Sequence, residues 1–328
     1  TQSRSSAASD VYKRQIERGA DGSIPIVSGE WNDDFHHAAH VLATNDREGY
    51  YIDYEFDTVE QIATALATGF VYQGEHSPHR DRDVGETSDH LPPTAFVNFL
   101  QNHDQIGNRA FGDRLRSLSS ARAFDCLQAL LLLGPQIPLM FQGDEFGDCH
   151  SFCFFTDFDG ELGAAVSRGR KAEFAKFSAF EDPHAQEVFP DPNAESTFLT
   201  SRLEWSLKER PVNRRRLQVT QELLAARRDH LFPLLADAPG GTGKALVDGR
   251  AMIVSWELAP GRFYHCFANL DDAPWDIGED FDPGLLEGAT EVFANHGGTF
   301  DDLRDGRMRG FSVGFMLGRH DVIEGLAE

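Results

Sequence analysis

Phe96-Val97-Asn98-Phe99-Leu100-Gln101-Asn102-His103-Asp104-Gln105-Ile106-Gly107-Asn108 is the stretch from which the fold can be read. An apolar run stops abruptly in a cluster of side chains able to hydrogen-bond hydroxyl groups. The apolar half reads as a strand buried on both faces, the pattern of a parallel sheet. In barrels of alternating strands and helices, chemistry sits where strands stop and loops begin. Asn102, His103, Asp104 and Gln105 occupy such a point. A capped strand running into a helix N-terminus could use the same residues, but Asn-His-Asp directly behind an apolar strand favours a catalytic reading.

Outward from this stretch the chain alternates. Ile24 to Ser28 is strand-like, and Thr58-Val59-Glu60-Gln61 opens a helix with a capping box that Gly69 ends. Ala95 to Gln101 is the next strand. Ser119 or Ser120 caps a helix running to Leu133, with Gly134 and Pro135 as stop signals. Ile137 to Phe141 is a further strand. Strand, helix, strand, helix, strand indicates an α/β fold with a parallel sheet and right-handed crossovers. Residues 142–200 are loop-rich, with a basic helix near Arg168 to Phe177 and a turn at Asp191-Pro192-Asn193. Arg214 to Arg228 forms a helix with Leu217, Leu223 and Leu224 on its apolar side.

After about residue 236 the period changes. Lys244 to Leu258, Arg262 to Asn269 and Met308 to Leu317 alternate apolar and polar residues between Gly and Pro turns, which is antiparallel sheet. Gly240-Gly241-Thr242-Gly243-Lys244 precedes them. It lacks the Ser or Thr that follows the Lys of a phosphate loop, and a strand rather than a helix comes next, so it reads as a domain linker.

The motif FLQNHDQIGN resembles the last of the short shared blocks of the α-amylase superfamily of glycoside hydrolases. Within it the chain is similar to the malto-oligosyltrehalose trehalohydrolase family. The likeness includes Trp31-Asn32-Asp33-Asp34-Phe35-His36-His37, Gly69-Phe70-Val71-Tyr72-Gln73-Gly74-Glu75 and His90-Leu91-Pro92-Pro93-Thr94-Ala95-Phe96. Further on it takes in Pro135-Gln136-Ile137-Pro138-Leu139-Met140-Phe141, Phe154-Phe155-Thr156-Asp157-Phe158, Gly160-Glu161-Leu162 and Pro190-Asp191-Pro192-Asn193-Ala194. It runs from about residue 16 to the end. It implies the C-terminal part of a (β/α)8 TIM barrel over residues 16–236 and a small antiparallel β-sandwich over 237–328. Residues 1–15, TQSRSSAASDVYKRQ, share nothing with the family and read as a non-native or disordered tail.

The resemblance also implies roles. Such enzymes retain configuration, using one carboxylate as nucleophile and a second as acid/base. A third binds hydroxyls of the sugar at the cleavage point and favours its distorted ring, and that role maps onto Asp104. Asn102, His103, Gln105, Ile106, Gly107 and Asn108 would line the −1 sugar and its neighbours. Asp33, Asp34, Phe35, His36 and His37 would form the wall of the sugar cleft on the acceptor side. The blocks that carry the nucleophile and the acid/base are absent from the chain. It starts at Thr1 with no Met before Met140, so a fragment is expected. Glu30 reads as a local variation, and Asp10 and Glu17 have no motif context. Three parallel strands cannot close a barrel, so the chain alone is expected to fold poorly or to associate unless the missing strands are supplied. The activity implied for the intact enzyme is hydrolysis of the α-1,4 bond next to the trehalose end of a malto-oligosyltrehalose. A branching enzyme, an amylase or a non-catalytic glucan-binding remnant are the alternatives.

Composition bounds these readings. A net charge of −23 over 328 residues argues against nucleic acid, whose phosphates it would repel, and has little bearing on a neutral glucan. No apolar run approaches the ~20 residues of a membrane span. The chain has 26 Phe, several of them beside the polar motifs, where their faces could stack on sugar rings, although for any single one a place in the core is the stronger expectation. Cys126, Cys149, Cys153 and Cys266 do not make a disulfide framework in a chain this long and read as free thiols in a reducing cytoplasm. Cys149 and Cys153 lack a second pair at ligand spacing. His36 and His40 would share a helix face, but Ala38 and not Glu follows His37, so the zinc-protease pattern is not met. Neither metal nor organic cofactor is expected, and nothing fixes the oligomeric state.

Overall fold

The computed structural model describes residues 28–174, 189–278 and 281–327. In chain order the principal elements begin with β1 (Glu30–Asn32), α1 (Asp33–Thr44), α2 (Thr58–Ala67), β2 (Phe96–Phe99) and α3 (His103–Asn108). Next come α4 (Ala121–Leu133), β3 (Ile137–Leu139), α5 (Gly160–Phe174) and α6 (Pro211–Ala226). The strands β4 (Lys244–Asp248), β5 (Ala251–Ala259), β6 (Arg262–Asn269), β7 (Thr290–Ala294) and β8 (Ser312–Gly318) complete the chain's main framework. The first fifteen residues, Asp10, Glu17 and most of the strand expected at Ile24 to Ser28 lie outside the described residues. The first strand seen is β1, which begins at Glu30.

Two larger sheets follow from the two hydrophobic periods, beside two short ladders that pair His76–Ser77 with Arg82–Asp83 and Trp275–Asp276 with Arg307–Met308. β1, β2 and β3 pair in parallel in that order, with Trp31 opposite Val97 and Val97 opposite Ile137. The other larger sheet is antiparallel, in the order β7-β8-β6-β5-β4. The expected strand over Lys244 to Leu258 is thus two strands, turned at Asp248-Gly249-Arg250-Ala251, where Gly249 has positive φ. Within the whole, two compact units are distinguished. One holds residues up to Leu100, Ala121–Leu139 and Gln221 onward; the other holds Gln101–Ser120 and Met140–Thr220.

The first unit contains both larger sheets. α1 is capped by Asn32, whose Oδ1 accepts from Phe35 N at 3.2 Å, and it ends at Asn45 in the left-handed region. The other amide atom of Asn32, Nδ2, donates to Asn98 Oδ1 on β2 at 3.0 Å and to Gly69 O at 2.9 Å. That pair of hydrogen bonds stabilises a polar pair that the parallel sheet buries completely. α2 starts at Thr58, but the expected capping box is not formed. Asp57 precedes the helix in the left-handed region, the Thr58 hydroxyl donates to Tyr54 O, and Gln61 Nε2 donates to Asp53 O. The end at Gly69 is as expected: its φ is +100° and a Cβ there would meet the Phe96 ring.

β5 and β6 are buried on both faces, unlike a half-solvated antiparallel strand. On one face Ala251, Ile253, Phe267 and Met316 join a core with Phe300, Leu303 and Met308. On the other the sheet packs on α2 and α4. The contact includes hydrogen bonds: Trp256 Nε1 donates to Leu66 O and Tyr264 OH to Leu133 O, both at 3.0 Å, so each satisfies a C-terminal carbonyl of a helix. Gly240 and Gly243, expected in a linker, pack tightly, because a Cβ on either would strike the carbonyl of His90 or Ala67. They are glycines for close approach of backbone to backbone.

The second unit is loop-rich, as the sequence suggests. Asn193 organises it, accepting from Thr156 Oγ1 and Phe158 N and donating to Gly163 O and Ser167 Oγ. Arg114, 1% exposed, donates to His150 O and Gln142 O. The four cysteines are free thiols, of which only Cys149 is exposed. Among the described residues no helix is long and apolar enough to cross a membrane.

Candidate functional site

The Asn102-His103-Asp104 motif follows β2 closely, with only Leu100 and Gln101 between the strand and Asn102. α3 opens at His103 with Asn102 as its N-cap. The cap is made by the side chain, Asn102 Oδ1 accepting from Asp104 N at 2.8 Å. A buried residue therefore holds the first turn of α3 while His103 and Asp104 are exposed. Among the described residues no protein donor is bonded to the Asp104 carboxylate, which is left available to hydroxyl donors. Its charge sits in the first turn of the helix, where the backbone N–H groups favour a negative group. Asn108 is exposed and Gln105 half-buried, whereas Ile106 and Gly107 are buried. Ile106 packs inward, and the Gly107 carbonyl accepts from the Arg170 guanidinium, which also lies 5.2 Å from the centre of the Phe154 ring. In this second unit the structure thus brings Asn102, His103, Asp104, Gln105 and Asn108 together on one short segment.

A buried network underlies that segment, and sequence reading missed it. Gln101, 2% exposed, directs Nε2 to Asp144 Oδ1 at 2.5 Å and accepts Leu115 N on Oε1 at 2.8 Å. Asp144 Oδ2 accepts from Phe141 N at 3.1 Å, and Arg114 Nη1 lies 3.6 Å from Oδ1. Burial pushes the Asp144 carboxyl up to about 7, against the opposing pull of Arg114 and of the Gln101 amide. The signal available in sequence was Gln142-Gly143-Asp144-Glu145, a second polar cluster behind an apolar strand.

The expected acceptor-side residues lie at the start of α1, in the first unit. Asp34 is fully engaged: Oδ1 accepts from Tyr54 OH at 2.5 Å, and Oδ2 accepts from Val71 N at 2.8 Å and Tyr72 N at 3.2 Å. Burial nevertheless raises its pKa from the usual carboxylate value, more than these donors lower it. His36 is 1% exposed; Nδ1 donates to Leu100 O at 2.6 Å, which leaves Nε2 to accept from Tyr51 OH at 3.3 Å. Its ring stacks on Phe99 at 5.7 Å. Phe35 has no exposed surface and is a core residue. Asp33 and His37 are half-buried. His37 lies against the rings of Tyr50 and Tyr54, and burial, followed by the charges of His36 and His40, holds its pKa well below 6.5, so it is neutral at pH 7. Trp31, which sequence reading did not single out, is 46% exposed beside Phe99.

No family model matches the chain. Curated proteins do. It is 42% identical over 209 residues to the malto-oligosyltrehalose trehalohydrolase of Deinococcus radiodurans, which covers 63% of this chain and 34% of that protein. It is 38% identical over 235 residues to the enzyme of the same name from Arthrobacter ramosus, covering 71% of this chain and 39% of that protein. The chain therefore spans little more than a third of the length of the curated relatives it matches. Among solved structures it is similar to a putative α-amylase from Salmonella typhimurium, with a TM-score of 0.82 and 39% identity over 94% of this chain and 49% of the other. A pullulanase from Paenibacillus barengoltzii, at TM-score 0.52 and 13% identity over 89% of this chain and 38% of the other, shares the fold alone.

Proposed function

As a relative of the malto-oligosyltrehalose trehalohydrolases this chain belongs to the α-amylase family of glycoside hydrolases, and we propose that the whole protein cleaves the α-1,4 bond next to the trehalose end of a malto-oligosyltrehalose. The products are trehalose and a shortened maltodextrin. The observation that carries this reading is the exposed Asp104 carboxylate on the first turn of a helix capped by Asn102, close behind a parallel strand. Chemistry in barrels of this kind is placed at such strand ends. Asp104 accepts two hydroxyl hydrogen bonds from the sugar at the cleavage point, and these strengthen as the ring flattens toward the oxocarbenium-like transition state. His103, Gln105 and Asn108 contact the same sugar or its neighbours. Nucleophile and acid/base carboxylates are contributed by parts of the whole protein that correspond to other segments of its relatives. We further read the chain as the C-terminal strands of a (β/α)8 barrel followed by a β-rich domain.

The roles first expected near the start of α1 narrow on this reading. Asp34, Phe35 and His36 support the backbone, and we keep the expected acceptor-side role for the half-buried Asp33 and His37. Replacing Asp104 by Asn in the whole protein tests the reading. The carboxylate's acceptor capacity halves, and turnover of malto-oligosyltrehalose is expected to fall roughly 10²–10³-fold with the melting temperature unchanged. Near-normal turnover in that variant would sink the assignment. Release of maltose or glucose with no trehalose would place the protein with amylases.

A further inference from the structure

The buried network beneath α3 has a geometry that the exposed motif does not explain. Gln101 and Leu115 flank the segment that carries Asn102, His103 and Asp104. One amide side chain closes it, since Gln101 Oε1 accepts from Leu115 N at 2.8 Å. An amide can face either way, and the way it faces decides whether that bond forms. Here Asp144 fixes the choice: its Oδ1 takes Gln101 Nε2 at 2.5 Å, leaving only Oε1 for Leu115. Asp144 is itself fixed by Phe141 N, and Arg114 is fixed by His150 O and Gln142 O. All of these groups lie within one compact unit.

We infer that Gln101, oriented by Asp144, is a positioning residue for Asp104, closing the loop 101–115 so that the first turn of α3 is presented in one geometry. The inference rests on the reading of Asp104 as the carboxylate that touches substrate. It assigns to an acidic residue 40 positions downstream of Asp104 a part in turnover without contact to sugar.

The test is a reciprocal exchange in the whole protein, assayed at pH 8. Gln101→Met keeps the length of the side chain but can neither donate to Asp144 nor accept from Leu115 N. Gln101→Glu combined with Asp144→Asn restores the pair with its polarity reversed. The introduced asparagine donates through Nδ2 to the introduced glutamate and keeps its oxygen on Phe141 N. The second glutamate oxygen then accepts from Leu115 N. The single variant is expected to lose about 100-fold in kcat with KM within about threefold, the scale of a small misplacement of a reacting group. The double variant should return to within about fivefold of wild type. Hydrogen exchange provides the second readout. The Leu115 amide should lose protection in the single variant and regain it in the double.

Wild-type kcat and wild-type Leu115 protection in Gln101→Met would overturn the inference, as would a folded double variant no better than the single. If the single variant fails to fold, the double decides alone, by turning over or not. Should Asp104→Asn keep full turnover in the same assay, the functional reading fails, while Leu115 exchange still decides whether the clamp exists.

Discussion

Replacement of Asp34 separates a scaffold carboxylate from a ligand one. Its two oxygens accept three hydrogen bonds, from Tyr54 OH, Val71 N and Tyr72 N, which tie the start of α1 to Tyr54 and to the loop after Gly69. In Asp34→Ala all three donors lose their partner. An unmet buried donor costs about 1–3 kcal/mol, and Val71 and Tyr72 are only half-buried, so water relieves part of their loss. A total of about 3–5 kcal/mol is expected, a large fraction of an ordinary domain's stability. Asp34→Asn is a milder change. Its oxygen still serves the two backbone amides, its Nδ2 faces Tyr54, and the phenol can turn to accept, so about 1–2 kcal/mol is lost with the charge. Equilibrium urea unfolding at pH 7, followed by circular dichroism, reads both as shifts in midpoint at constant slope. A loss below about 1 kcal/mol for the Ala variant, or equal losses for Ala and Asn, would refute the reasoning. A rise in KM without loss of stability would return Asp34 to the sugar.

Two further outcomes follow from particular contacts. Gly69→Ala puts a Cβ 2.1 Å from Phe96 Cζ at a φ of +100°, so both backbone and ring must shift; a loss of roughly 2–4 kcal/mol is expected, read as a lowered melting temperature, and an unchanged one would contradict the packing of that corner. Asp144 should give stability an acid-side slope. Because burial raises its native pKa from 3.8 to about 7, the native state keeps this proton where the unfolded chain has released it. Its contribution is therefore complete below about pH 4 and is lost as pH rises through 7. Chemical denaturation at several pH values between 4 and 8 should show that decline, and Asp144→Asn should flatten it; equal slopes in the two proteins would remove Asp144 as the cause.

Much of the framework is legible from the order of residues because it depends on period and punctuation. β2 lies within the run expected from Ala95 to Gln101, α4 ends at Leu133 before Gly134-Pro135, and β6 matches Arg262 to Asn269 in full. The errors have physical causes. Thr58 and Gln61 have the composition of a capping box, yet Tyr54 O and Asp53 O lie nearer and take their donors. β5 carries polar residues at alternate positions, but Ser255 is buried because its hydroxyl meets His265 Nδ1 at 2.8 Å on the neighbouring strand. The glycines at 240 and 243, in the stretch read as a domain linker, allow close approach of backbone to backbone, which composition alone does not show.

Within the candidate site, residue type alone could not divide working groups from supporting ones. Asp34 and Asp104 both sit in the first turn of a helix behind a parallel strand, β1 for one and β2 for the other. Motif reading treats them alike. The difference lies in who meets their oxygens. Residues far along the chain, Tyr54, Val71 and Tyr72, fill the acceptor sites of Asp34, whereas Asp104 contributes only its backbone N–H to Asn102 and keeps its carboxylate open. Gln101 and Asp144 show the same logic from the other side, since their bond spans 43 residues and no local pattern encodes it. A polar side chain whose hydrogen-bonding capacity is met inside the protein can hold geometry but has little left for a substrate. One at a strand end with that capacity unmet is at some cost to stability unless a ligand or water meets it. On that criterion the carboxylate behind β2 keeps acceptor capacity for a ligand, whereas the Asp34 carboxylate behind β1 spends its capacity on the frame.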